Sequence, residues 1–355
     1  MKKQPWIDSQ KTDLTFIIAP SWVALLLAYL FSWNPFYQVE TPLWAWVVFI
    51  LFLDVAHVHS TLFKTYFDAK SFARHRTLYL AVPALSYGVF VLLYWQAGSI
   101  FFWRILAYTA VFHFIRQQYG FVRLYNRQET QARWLTRFDE WVIYGATLAP
   151  ILHWHVNSPR NFVWFVENDF YLFPSTRLQE LLLVIYALLA LSYIIKEVYC
   201  IVRGLLNLPR ILLILGTFLT WYFGIMYFNN DLIFTILNVV VHGIPYIWLV
   251  WIDIQKRKPF VGGLSKRLFS PKGLIFFLGS ICGMAYLEEG LWDALQWREY
   301  PSLFSWLYGL PSHFADWELA LLIPLLALPQ ITHYILDGFI WKRGFDSVVS
   351  KELPS

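Results

Sequence analysis

Six polar residues that could bind a metal ion lie within long apolar stretches of the chain. They are Asp54, His57, His113, His242, His333 and Asp337. Keeping such groups in hydrocarbon costs free energy, so a histidine or carboxylate found there is a candidate for function. Imidazole and carboxylate donors without thiolate suit iron, and zinc, manganese or copper can also use them. The pattern therefore favours a mononuclear or dinuclear metal centre, with iron as the expected metal.

The spacing of these residues pairs each carboxylate with an imidazole. Asp54 precedes His57 by three residues and Asp337 follows His333 by four, so each pair shares one face of a helix. His59 lies two positions beyond His57 and points to nearly the opposite side. The face shared with Asp54 favours His57 as the ligand, with His59 as the alternative. The carboxylates can either bind the metal or hold a histidine tautomer.

Two side-chain amides extend the polar faces that carry the other two histidines. Gln117 follows His113 by four residues, and Asn238 precedes His242 by four. Residues four apart are neighbours on a helix, so each amide shares a face with its histidine.

The composition indicates a polytopic membrane protein. The chain has 355 residues, of which 58% are hydrophobic and only 14% charged, against about 25% charged in an ordinary soluble domain. Ten stretches are apolar enough to cross about 30 Å of hydrocarbon as helices. They are residues 14–32, 43–63, 77–96, 99–122, 137–153, 178–200, 210–228, 231–253, 273–292 and 317–340. We predict an all-α bundle of about ten transmembrane helices that forms a single integral membrane domain over residues 1–355.

Lysine and arginine are distributed unevenly between the two ends of these helices. With the N-terminus in the cytoplasm, four of the 28 basic residues fall on the outer side and the other 24 on the inner side. This positive-inside asymmetry predicts that both termini are cytoplasmic. We expect the protein in the inner membrane of a bacterium. Basic loops attract anionic lipid head groups, so the excess charge requires no nucleic-acid partner.

The four histidines are predicted to lie at a similar depth. Counted at 1.5 Å per residue from the inner helix ends, His57, His113, His242 and His333 lie roughly 9, 14, 16 and 11 Å inside the membrane. Four helices thus bring imidazole to one layer of the inner leaflet. Helix bundles build metal sites from side chains on facing helices, so we predict one shared site near the cytoplasmic face.

Other kinds of site are excluded by the sequence. Cys200 and Cys282 are the only cysteines, which leaves no disulfide framework and no thiolate metal site. The motifs GxGxxG, GxSxG and HExxH and the Walker sequence do not occur, so no organic cofactor is indicated. The first thirteen residues are polar for too long to form a removable signal peptide. The first helix is expected to remain as an anchor.

Histidines placed singly on separate membrane helices suggest a family resemblance. The chain resembles the membrane-bound non-haem iron oxygenases, which include fatty-acid desaturases and hydroxylases and the Brp/Blh-type carotene dioxygenases. The HxxxH and HxxHH boxes of the desaturases are absent, whereas one histidine per helix is similar to the carotene dioxygenase pattern. The segments DVAHVHSTLFKTYFD, HFIRQQYG, NVVVHGIPY and THYILDGFIWK also look like those of bacterial polytopic membrane proteins of undefined function.

The resemblance to iron oxygenases implies O2-dependent hydroxylation, desaturation or cleavage of a lipid or isoprenoid substrate that enters from the bilayer. Electrons would come from a cytoplasmic donor. The implied ligands are His57, His113, His242 and His333, with Asp54 and Asp337 as ligands or orienting groups. The resemblance also implies that Gln117 and Asn238 are nearby hydrogen-bonding groups, so the candidate catalytic residues are Asp54, Asp337, Gln117 and Asn238. Two other classes stay open. A proton-coupled transporter would use the histidines and aspartates as a relay, and a haem-binding electron carrier would use two facing histidines, such as His113 and His242, as axial ligands.

Overall fold

The secondary structure of this chain is helical. A computed structural model describes residues 4–33, 41–129, 131–258, 262–342 and 345, and every regular element in these ranges is a helix. In chain order the helices are α1 (Gln10–Ser32), α2 (Leu43–Lys64), α3 (Ala69–Ala97), α4 (Ser99–Tyr125), α5 (Arg133–Val156), α6 (Thr176–Val202), α7 (Leu208–Tyr227), α8 (Asp231–Arg257), α9 (Gly262–Leu268), α10 (Gly273–Trp297), α11 (Asp316–Leu326) and α12 (Leu328–Ile340). A short helix over Pro301–Phe304 precedes α11.

Seven of these helices, counted over the described residues, are long and apolar enough to cross a membrane: α1, α2, α3, α6, α7, α8 and α10. An eighth span results if α11 and α12, which meet at a 45° bend, cross as one broken helix. The structure thus confirms an all-helical protein whose helices fit an integral membrane protein. α4 and α5 coincide with predicted spans but fall outside this group, because charged residues such as Arg104 and Arg123 lower the hydropathy of their segments.

A count of ten crossings therefore stays a prediction, as does the cytoplasmic location of both termini. Residues 1–3 and 346–355 lie outside the described part of the chain.

Polar side chains mark where several helices begin. Asp68 accepts hydrogen bonds from the backbone amides of Lys70 and Ser71 at the start of α3. Ser175, Asn207 and Asn230 cap α6, α7 and α8 in the same way. The first turn of a helix leaves amide groups without an internal acceptor, and side-chain oxygens satisfy them.

The position of each helix in the bundle follows from how much of it is covered. α8 lies at the centre, since 89% of the residues in its most apolar stretch are buried. α6 lies at the edge, where the corresponding share is 11%. Large apolar side chains such as Leu85 and Val202 are exposed on the outer surface. Continuous apolar surface of this kind is rare on soluble monomers and suits contact with lipid.

Four helices surround the predicted site. α2 packs against both α8 and α12, and α12 also packs against α4. Each of these helices carries one of the four histidines, so their packing turns His57, His113, His242 and His333 toward a common interior point.

Candidate metal centre

Two of the four histidines follow directly after wide helical turns. Residues Trp46–Val55 of α2 and Ile236–Val240 of α8 form π-helix, and His57 and His242 lie in the first α-helical turn after each segment. A π-helical turn holds extra backbone and shifts the direction of the side chains that follow, and such turns are frequent at functional sites. Because of this shift, sequence spacing alone does not give the final direction of these two rings.

The four imidazoles predicted to share a site meet inside the bundle. One ring nitrogen from each of His57, His113, His242 and His333 lies within 4.8 Å of the others. The Nε2 atoms of His57 and His242 are 3.1 Å apart, and those of His113 and His333 are also 3.1 Å apart. All four side chains are buried. His59, the alternative to His57, is not in the group.

These four nitrogens could hold a single metal ion. Bonds of about 2.0–2.1 Å to a tetrahedral ion hold imidazole nitrogens about 3.4 Å apart, close to the two 3.1 Å separations found here. Two neutral imidazoles that face each other can share only one hydrogen, whereas a cation gives every facing lone pair a partner. Four neutral imidazoles without thiolate are a donor set that iron, copper or zinc can use.

A chain of hydrogen bonds fixes the orientation of His333. Its Nδ1 lies 2.7 Å from the hydroxyl of Thr61, which lies 2.8 Å from the hydroxyl of Tyr246. Tyr246 in turn donates its hydrogen to Asp337. With Asp337 as a carboxylate, Thr61 must donate to Tyr246 and accept from Nδ1–H of His333. This tautomer leaves Nε2 of His333 with its lone pair facing the other three rings.

Both predicted carboxylates lie behind the rings. Asp54 is 3.6 Å from Nδ1 of His57, and Asp337 is 3.8 Å from Nδ1 of His113. The sequence pairs Asp337 with His333, but in the structure Thr61 occupies the Nδ1 of that histidine. Metal-binding histidines commonly direct their outer nitrogen at a carboxylate or other acceptor. Asp54 and Asp337 lie on this outer side of the rings but beyond hydrogen-bond distance, and Nδ1 of His57 makes no hydrogen bond within the described residues.

His242 is held mainly by packing. Its ring stacks on Phe114 with centroids 3.6 Å apart and planes 7° from parallel. The Nδ1 atom is buried and makes no hydrogen bond within the described residues. Gln117, the amide predicted to lie near the centre, donates to the backbone carbonyl of His242 at 2.9 Å. It therefore ties α4 to α8 beside the site.

Asn238, the other predicted amide, lies one turn before His242 and faces a different neighbour. Its Nδ2 donates to the carbonyl of Phe234 on the same helix at 2.9 Å. The side chain packs so closely against Gly224 that a Cβ there would lie 2.8 Å from Nδ2. In this position Asn238 joins α8 to α7 and does not reach the rings.

A second imidazole and carboxylate lie on the opposite side of α2. Nε2 of His59 is 2.8 Å from a carboxylate oxygen of Glu288 on α10, and both side chains are more than nine-tenths buried. In the sequence Glu288 looks like an outer-surface residue near the end of its helix, but the packing of α10 against α2 buries it.

Charged groups also lie beyond the four histidines, toward the C-terminal end of α2. Lys64 at the end of α2 is 2.8 Å from Asp253, which also accepts from Arg257 at 2.6 Å. The ammonium of Lys64 lies 4.3 Å from the ring of Trp341, and the indole N–H of Trp341 donates to Asp337 at 3.2 Å. A buried polar network thus extends from Asp337 toward the C-terminal ends of α2 and α8.

Three residues of the site are absent from the sequence-based prediction: Thr61, Phe114 and Tyr246. Thr61 follows His57 by four residues, so its position on the same helix face was a usable signal. Phe114 and Tyr246 give no such signal, because aromatic residues are common in membrane helices and their contacts depend on how the helices pack. Other histidines lie elsewhere; His155, for example, is hydrogen-bonded to Tyr108 at 2.8 Å.

No protein-family model, curated protein or solved structure matches this chain. The resemblance to iron oxygenases therefore stays a prediction from the sequence. A proposal about function therefore depends on the geometry of the four histidines alone.

Proposed function

We propose that this protein is a membrane-embedded oxidoreductase that binds one iron ion through four histidines and acts on a lipid or isoprenoid substrate. The observation that carries the proposal is the convergence of one ring nitrogen from each of His57, His113, His242 and His333 within 4.8 Å. Buried histidines on four separate helices are costly to bring together in hydrocarbon. A shared cation offsets that cost.

Each neighbour of the rings has a defined task in this proposal. Asp54 and Asp337, 3.6 and 3.8 Å from the outer nitrogens of His57 and His113, would attract the N–H groups of these rings by charge and favour the tautomer whose inner nitrogen binds the metal. Thr61 and Tyr246 do the same for His333. Phe114 holds the plane of His242 by stacking. These contacts preorganise the ligands before a metal arrives.

The surroundings of the centre support a reaction on a hydrophobic molecule. The four rings lie inside a bundle with apolar outer surfaces, so a lipid or isoprenoid can approach from the bilayer, while bulk water is excluded. When bound, iron would supply the activation of O2 for hydroxylation, desaturation or cleavage. Electrons would come from a cytoplasmic donor.

Metal analysis tests the proposal directly. Purified wild type is expected to contain about one iron per chain by mass spectrometry, and each of His57→Ala, His113→Ala, His242→Ala and His333→Ala is expected to lose most of it. His153→Ala is the matched control, since His153 is also buried but lies near the outer end of α5. Metal-free wild type, or equal loss in His153→Ala, would eliminate the proposal. Bound zinc or copper in place of iron would keep the site and change the chemistry.

A haem-binding carrier fits this geometry less well. Axial ligation by His113 and His242 requires a planar macrocycle between their rings. The rings of His57 and His333 lie beside them, with centroids 4.9 Å apart, where the macrocycle would have to be. An absorbance spectrum separates the two, because haem gives an intense Soret band and a histidine-bound non-haem ion does not.

One observation favours a second candidate, a proton-coupled transporter. The His59 and Glu288 pair and the Lys64 and Asp253 pair place further ionisable groups near the four histidines. Chains of such residues serve as proton relays in membrane transporters. A proteoliposome assay with a pH-sensitive dye tests this: Glu288→Gln would abolish proton uptake and leave bound metal unchanged. Proton-tight liposomes with wild-type protein would rule the transporter out.

A further inference from the structure

Arg116 places a cation on the outer surface of α4, one helical turn beyond His113. Its side chain is exposed. The guanidinium donates to the hydroxyl of Tyr144 on α5 and lies 4.6 Å from the ring of Tyr119. Both neighbours are neutral, so the described part of the chain provides Arg116 with no carboxylate at ion-pair distance.

Another arginine on the same helix differs in this respect. Arg123, two turns nearer the inner end of α4, forms an ion pair with Glu140 on α5. Cations in membrane segments normally pair with an anion, a carbonyl or the head-group region. Arg116 lies about 10 Å further from the inner end of α4 than Arg123 does, at 1.5 Å per residue. Within the described residues its charge, unlike that of Arg123, has no carboxylate partner, so an external anion can pair with it.

The surface next to Arg116 is apolar on the side away from Arg123. Phe112 lies one turn before Arg116 on α4, and Leu148 lies one turn after Tyr144 on α5; they are 62% and 45% exposed. α4 and α5 are packed neighbours joined by a short connection, so they run antiparallel. Phe112 and Leu148 therefore lie at the same level, and together they form an apolar strip that ends at the guanidinium.

The chemistry of this surface matches an acidic amphiphile. A guanidinium has several N–H donors in one plane and binds carboxylate or phosphate oxygens in bidentate geometry. The Tyr144 hydroxyl is hydrogen-bonded to the same guanidinium, so it offers the head group a second polar contact beside Arg116. An acyl or isoprenoid chain can then pack along Phe112 and Leu148 and gain free energy from the contact.

We propose that Arg116 and Tyr144 bind the acidic head group of a membrane amphiphile, a carboxylate or a phosphate, whose chain lies along Phe112 and Leu148. The site does not depend on a metal at the four histidines. It lies one turn from His113 on the same helix, so an occupant has its head group beside the metal centre.

Native mass spectrometry of the full-length protein in detergent tests this site. Wild type is titrated separately with oleate, dioleoyl phosphatidic acid and dioleoyl phosphatidylcholine. We expect at least one of the two acids to bind, and the stronger of them identifies the head-group chemistry. Arg116→Gln is expected to weaken that binding about tenfold, the equivalent of one charge-assisted contact. Arg116→Lys should retain part of it.

Two variants serve as controls. Arg137→Gln removes the same charge from an exposed position in the first turn of α5 and should bind the acid as wild type does. Tyr144→Phe keeps the packing and removes one hydroxyl, so a partial loss is expected even if Arg116→Gln fails to fold. Equal binding by wild type and Arg116→Gln, equal loss in Arg137→Gln, or phosphatidylcholine binding as strong as that of the acids would overturn the proposal.

Discussion

The hydroxyl of Thr61 on α2 is hydrogen-bonded to the outer nitrogen of His333 on α12, 272 residues away in the chain. α2 therefore contributes twice to the centre, once through His57 and once by orienting the ligand from another helix. Because Tyr246 on α8 bonds the same hydroxyl, three of the four ligand helices are joined behind the rings. Substitutions in this series of hydrogen bonds, from His333 through Thr61 to Tyr246, should alter metal binding without removing a ligand.

Thr61→Val tests that expectation with nearly the same side-chain volume. The variant leaves Nδ1 of His333 without an acceptor, so the ring can adopt the other tautomer and turn its N–H toward the metal. We expect metal affinity to fall about tenfold or more, measured by competition with a chromophoric chelator. Thr65→Val is the control, since Thr65 is also buried but bonds the backbone carbonyl of Thr61. Equal affinity in Thr61→Val and wild type would contradict the assigned tautomer.

Asp337→Asn is expected to have a larger effect, because Asp337 lies near His113 and also accepts from Tyr246. The neutral amide removes the negative partner of one ligand and weakens the orientation of a second. We predict a decrease of about 10-fold to 100-fold in metal affinity. The double variant Asp337→Asn with Tyr246→Phe should lose little more metal affinity than Asp337→Asn alone, since both substitutions act through the same series of hydrogen bonds. Fully additive losses would show that the two residues act separately.

Much of the centre could be predicted because its ligands share one rare property. A histidine inside an apolar helix is conspicuous in the sequence, and the common depth of His57, His113, His242 and His333 follows from counting residues. The choice of His57 over His59 rested on the face shared with Asp54. The structure places His57 in the group and turns His59 to Glu288.

The partners of the rings could not be predicted in the same way. Asp337 lies close to His113, not to the neighbouring His333 on its own helix, because the contact depends on how α4 packs against α12. Tyr246 and Phe114 act through the same packing and resemble many other aromatic residues in the chain. For the fold, apolar length located the helices, but α4 carries charges that make its membrane crossing less evident from hydropathy.

The buried ion pair between Lys64 and Asp253 should be important for stability. Their side chains are 3% and 0% exposed. Lys64→Met leaves a buried carboxylate with one partner fewer, at a cost of about 3–5 kcal/mol. The control is Arg123→Gln, which breaks the half-buried pair with Glu140 and should cost about 1 kcal/mol or less. Unfolding in mixed micelles with rising SDS measures both. Equal costs would mean that Lys64 is solvated.

Gly243→Ala probes the close approach of α8 to α2. A Cβ at residue 243 would lie 2.8 Å from the backbone carbonyl oxygen of Leu53, four residues before His57. Backbone cannot move aside as a flexible side chain can, so the helices must separate. Overpacking of this kind costs about 1–3 kcal/mol, and the separation should also pull His57 away from His242. We therefore expect lower stability and lower metal content together.

Gly279→Ala provides the comparison for this last variant. A Cβ at residue 279 on α10 meets no atom within 4 Å. Alanine there removes backbone freedom without a clash, so we expect stability to be unchanged or higher by about 0.5–1 kcal/mol, with full metal content. Stability is read from unfolding in mixed micelles and metal from mass spectrometry of the same samples. If Gly243→Ala kept both at the level of Gly279→Ala, the spacing between α2 and α8 would not control the distance between His57 and His242.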